Sequence, residues 1–159
     1  MTVYDTLLDT SRVWIYQSNR PFTDKELLEV RQYLQQFATQ WVSHNRALRA
    51  FAEVYHNQFI VLIVDESQAG ASGCSIDASV HFLQQLQAKF DVNLFDRMTF
   101  AYQENGEVKT AHRSEFKQLY QAGKISDETL VFDNLVNTKG AFEKQWVKPL
   151  GESWHRKMV

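Results

Sequence analysis

Residues 59–77 read FIVLIVDESQAGASGCSID: an unbroken apolar run closes on two acids and passes into a loop of small residues around the chain's single cysteine. A run with no polar interruption predicts a strand at the centre of a sheet, covered on both faces. The preceding run, residues 48–55 (LRAFAEVY), alternates and predicts a half-exposed strand. Between this run and the one opening at Gln58 stand only His56 and Asn57, a spacing short enough for a hairpin turn. Beyond the small-residue loop, Ile76, Val80, Leu83, Leu86 and Phe90 recur at helical spacing and predict an amphipathic helix.

Working outward, residues 12–18 (RVWIYQS) alternate closely enough to predict another strand. After the turn SNRPF, Thr23 and Glu26 have the spacing of a capping box, with Leu27, Val30, Leu34, Phe37, Ala38 and Trp41 continuing a helix to about residue 41. Residues 98–103 predict a further strand. The resulting order, β-α-β-β-α-β, is that of a split βαβ, so the expected class is α+β, with a ferredoxin-like sheet over residues 1–103 and helices on one face.

Residues 104–159 are expected to form an extension packed on that core in one compact unit. Asn105-Gly106 signals a hairpin, HRSEFKQLYQAG a short helix with Gly123 just past its end, and TLVF a brief strand. Tyr102, Asn105, Gly106, Leu119, Gly123, Ile125, Thr129, Leu130 and Val131, with Phe132 in place of a tryptophan, resemble the GYF-like (GYF_2) module over residues 99–133. That resemblance implies a peptide or protein partner docking on aromatic side chains. Tyr102, Phe132 and Trp146 are the expected platform, suited to an extended, proline-containing peptide.

Composition excludes more than it selects. Seventeen basic and nineteen acidic residues leave a formal charge of -2, so no field draws the chain to nucleic acid or an anionic membrane. No apolar run approaches the ~18 residues of a membrane span. The opening MTVYDTLLDTSRVW has neither a basic n-region nor an uninterrupted apolar h-region, and one cysteine cannot form an internal disulfide; the cytoplasm is the expected compartment. Five histidines without an H-x-x-x-H pattern make a zinc site unexpected, and no cofactor is expected.

Asp65 and Glu66, closing an apolar strand, have the local form of a Walker B element. A magnesium carboxylate works only beside a phosphate cradle, and the pattern G-x-x-x-x-G-K-[ST] is absent. ATP hydrolysis is therefore not expected. Trp41, His44 and Leu48, FIVLIVDE, SGCSID, and Pro149 with Ser153-Trp154-His155 together resemble a family of small bacterial proteins that often bear the label "ABC transporter ATPase". The residues here do not support that label, and the resemblance itself implies no activity.

The loop GASGCSID feeds a helix and converges backbone amides with the positive end of the helix dipole. Gly73, Ser75 and Asp77 are thus candidate anion-binding positions, and Cys74 is a candidate nucleophile. Against catalysis, Val80 stands where a Cys-x₅-Arg phosphate loop needs arginine, and no C-x-x-C pair exists. The plainer expectation is a buried, slowly reacting Cys74 and an N-cap at Ser75 or Asp77. The overall expectation is a noncatalytic binding or interaction protein, with a cysteine-dependent enzyme or anion binder as the alternative.

Overall fold

The apolar run forms a strand in which every residue is buried, and the fold is arranged on its two faces. The structure is a computed structural model and describes residues 2–159. In chain order the elements are α1 (Val3–Thr6), β1 (Arg12–Gln17), α2 (Asp24–Gln40), β2 (Val42–Ser43), β3 (Arg46–Ala47), β4 (Arg49–Tyr55), β5 (Phe59–Asp65) and α3 (Gly73–Phe90). The second half adds β6 (Thr99–Glu104), β7 (Glu107–His112), α4 (Arg113–Gln121), β8 (Leu130–Phe132), α5 (Lys139–Gln145) and β9 (Val147–Pro149), then two short 3-10 turns, Leu150–Glu152 and Trp154–Met158. The class is α+β, as expected.

The first sheet has the order β1-β5-β4, antiparallel throughout, with Leu62 of β5 opposite both Trp14 and Ala52. These are the first three strands expected from the sequence, gathered in one sheet. The fourth is a correction: β6 joins a second sheet of order β7-β6-β8-β9. A strand has two edges, and β6 has committed one to β7 through the Asn105-Gly106 turn and the other to β8 at Val131. It has none left for β1. The boundary expected at residue 103 consequently falls inside β6.

Alternation along β5 assigns its two faces. Ile60, Leu62 and Val64 pack with Leu27, Val30 and Leu34 of α2 and Leu83, Leu86 and Phe90 of α3. Phe59, Val61 and Ile63 pack instead with Ala101 of β6, Phe132 of β8, Phe142 of α5 and Trp146. A third cluster, including Phe100, Tyr102, Phe116, Val131 and Leu150, fills the far face of the second sheet. Helices α2 and α3 share one face of their sheet, and the other is covered by the second half of the chain together with Tyr4 of α1 and Leu7.

Local signals fall where the residues put them. Thr23 and Glu26 form the reciprocal capping box that starts α2. Asn105 and Gly106 take φ values of 53° and 79°, and Gly123, past the end of α4, takes 73°, which glycine adopts without a Cβ penalty. The β4–β5 turn likewise places His56 and Asn57 at 53° and 56°. A small hairpin, β2–β3, turns on His44 and Asn45 at 51° and 65°; its two-residue strands were too short for a periodicity to reveal.

Candidate functional site

Because β6 turns away, one edge of β1 is left beside a cleft of about 330 Å³. The loop at residues 94–97 and the loop at residues 134–137 flank it, and Phe132, Trp154 and His155 line it from the second half of the chain. The volume is at the small end of the ~300–1,000 Å³ typical of ligand pockets. Its rim carries apolar surface: Phe95 and Leu135 are 36% and 65% exposed.

The polarity of the edge follows from strand geometry. In an antiparallel strand the N–H and C=O of one residue point to the same side, and successive residues alternate. The Val13 N–H donates to the Asn137 carbonyl at 3.0 Å, away from β5, and the Lys139 N–H donates to the Ser11 carbonyl. Farther on, the Asn19 N–H donates to the Asn93 carbonyl at 3.1 Å. Ile15 and Gln17 therefore turn their backbone groups toward the cleft between these two pins. Among the described residues neither N–H has a protein acceptor.

A relay of side chains ties the second half of the chain to the Gln17 side chain, at one end of this edge. Trp146 Nε1 donates to Asn134 Oδ1 at 2.9 Å, Asn134 Nδ2 to Gln17 Oε1 at 3.0 Å, and Gln17 Nε2 to the Thr99 carbonyl at 3.2 Å. Arg12 and Arg97 both border the cleft, the former with its guanidinium 4.8 Å over the Trp14 ring. Burial raises the pKa of the Tyr16 phenol, and the charge of nearby Arg97 opposes the rise.

Beneath the cleft, Asp133 accepts from Lys148 Nζ, Trp154 Nε1 and the Leu135 N–H. Burial opposes its charge, but these donors outweigh it and hold the carboxyl below its ordinary pKa. His155 is 1% exposed, stacks on Trp154 at 3.7 Å and pairs through Nδ1 with Ser153 Oγ at 2.7 Å. Ser153, His155 and Asp133 resemble a catalytic serine group in composition only. Burial pushes the imidazole pKa down to about 4, a weak base at neutral pH, and Ser153 is not among the residues lining the cleft.

The cysteine loop differs from expectation in two respects. Helix α3 begins earlier, with Ser72 as N-cap: the Ser75 N–H donates to Ser72 Oγ at 3.2 Å and the Ser72 N–H to Ser75 Oγ at 2.7 Å. Ser75 is thereby consumed in capping, and its carbonyl accepts from Trp41 Nε1 at 2.8 Å; Gly73 and Asp77 are exposed. Cys74 is exposed rather than buried, because it stands on the solvent side of the helix's first turn. Native protein is expected to take up one equivalent of Ellman's reagent without denaturant; labelling only after unfolding would contradict this placement. Among the described residues no side chain hydrogen-bonds to the thiol, so the nucleophile reading lacks its base.

The expected aromatic platform is also corrected. Tyr102, Phe132 and Trp146 are 7%, 1% and 6% exposed, because the aromatic side chains fill the spaces on the two faces of the second sheet. Tyr102 lies in the outer cluster and the other two in the cluster between the sheets; of the three, Phe132 alone reaches the cleft. Asp65, read as a Walker-like acid, receives the Ser67 N–H at 2.9 Å, while Glu66 receives the Ala71 N–H at 2.8 Å. Both acids thus organise the loop. Among the described residues no cluster of His, Cys, Asp and Glu is arranged to hold a metal ion, and no helix is long and apolar enough to cross a membrane.

Compared with protein-family models, with curated proteins and with solved structures, the chain matches none. Sequence patterns do not reveal the cleft, although two of its walls, residues 12–17 (RVWIYQ) and Trp154-His155, lie in stretches that carry signals of other kinds. No pattern in either stretch indicates that the two meet.

Proposed function

We propose that this is a noncatalytic binding protein whose ligand or partner enters the cleft along the open edge of β1. The observation that carries this reading is the placement of Ile15 and Gln17 backbone groups in a cleft with aromatic walls and an apolar rim. Backbone donors and acceptors left without partners favour a ligand that supplies them. The first sheet is read as a split βαβ unit in which the place of the fourth strand is kept for that ligand. The GYF-like resemblance of residues 99–133 supports a peptide or protein partner in kind, although its contact moves from the buried rings to the cleft. The cytoplasm remains the proposed compartment, and neither a cofactor nor nucleic acid is required.

Amide-resolved NMR with a library of small polar-aromatic fragments tests this. Ligands are expected to shift the amides of Ile15, Gln17, Phe95 and Asn134. Responses confined to residues 72–78, or no response anywhere, would overturn the reading in favour of the cysteine loop or of no site at all.

A further inference from the structure

Resting on that reading, we infer that the occupant of the cleft is the carboxy-terminal end of another polypeptide, bound as a short added strand against β1 with its α-carboxylate near Arg97. Three observations converge on this. The first is the edge itself. Ile15 offers an N–H and a C=O on the same side, the pair that an extended peptide residue exchanges with a neighbouring strand. An isolated carboxylate or an aromatic ring would satisfy only one of them.

The second is length. The edge is pinned at Val13 by Asn137 and at Asn19 by Asn93, which at ~3.3 Å per residue leaves room for only about three to five extended residues between the pins. A chain running through would have to bend out of the sheet at both pins. A chain end has to do so once.

The third is charge. Asp96 is the acid bordering the cleft, and its carboxylate already accepts from the Met98 N–H at 2.8 Å and Thr99 Oγ1 at 2.7 Å. Arg12 has a long ion pair with Glu66 at 3.9 Å. Among the described residues Arg97 makes no ion pair, and it borders the cleft. A carboxylate placed beside it meets a free guanidinium, the charge-assisted pairing that recognises a chain terminus. The exposed Phe95 and Leu135 on the two flanking loops favour apolar side chains on the bound residues.

The test titrates the full chain with tetrapeptides of apolar sequence carrying a free carboxylate, with the same peptides as carboxamides, and with peptides N-methylated at single amides. Free acids are expected to shift Ile15 and Gln17, to lose at least about tenfold in affinity on amidation, and to be weakened by N-methylation at one position in the register. Arg97→Gln should weaken the acids about as much as amidation does and so narrow the difference between acids and carboxamides. Equal binding of acids and amides would overturn the chain-end assignment. Fragments that perturb the cleft while every peptide fails would overturn the peptide assignment and leave the binding reading standing; silence from both would overturn the two together.

Discussion

Phe59→Ala is expected to lower stability by about 3–5 kcal/mol, the usual loss for removing a buried phenylalanine ring and leaving its cavity. Phe59 is 0% exposed, with ring centroids 4.7 Å from Phe132 and 5.2 Å from Trp146. Those two rings belong to the second half of the chain, so one side chain of the first sheet serves both halves. Urea unfolding followed by tryptophan fluorescence and by far-ultraviolet circular dichroism should move to lower midpoint by the same amount. Leu28→Ala is the control: Leu28 is 67% exposed, and its loss should stay within about 0.5 kcal/mol. A Phe59 variant as stable as that control, or one whose two probes separate, would show that the halves do not share a core.

Acidification from pH 6.5 to pH 4 is expected to cost up to about 3 kcal/mol through His155. Burial depresses its folded pKa to about 4 from 6.5; Asp133 opposes the shift and Lys148 reinforces it. Between these two values the unfolded chain takes up a proton that the folded chain refuses. The stability is therefore complete above pH 6.5, declines as the pH falls, and is lost once the pH passes below about 4. His56, also depressed by burial, acts in the same direction. Asp133, Asp96 and Glu26, held below their ordinary pKa values, add losses at lower pH. His155→Phe keeps an aromatic ring on Trp154 and removes the titrating group, so it should flatten most of the slope between pH 6.5 and 4. A wild-type stability that is constant across that interval would rule out the buried neutral imidazole.

These two residues also show what was legible. Phe59 announces burial because it opens an uninterrupted apolar run, and that run predicts coverage on both faces. His155 announces nothing: its neighbours Trp154 and Ser153 fit a clamp or a surface equally well, and its state depends on Phe100 and Phe116, some forty to fifty-five positions earlier in the chain. Cys74 likewise departs from the expected burial. Its helix starts at Ser72 rather than later, and one turn of helix decides which side a residue faces.

What the sequence by itself determined is the longer elements and several of their local ends. Period-2 and 3.6-residue patterns, the Thr23 capping box, the Asn105-Gly106 turn and the glycine after α4 are all written within windows of a few residues, where backbone dihedrals and neighbouring side chains settle the outcome. The partner of each strand edge is a different kind of question. β6 is as good a strand for β1 as for β8 by any local measure, and the choice falls to competition among edges distant in sequence and to the apolar area that each pairing buries. Tertiary structure alone therefore decided that β6 joins the second sheet, that β1 keeps an open edge, and that a cleft lies along it, because hydrogen-bonding an edge is local in space and unconstrained in sequence.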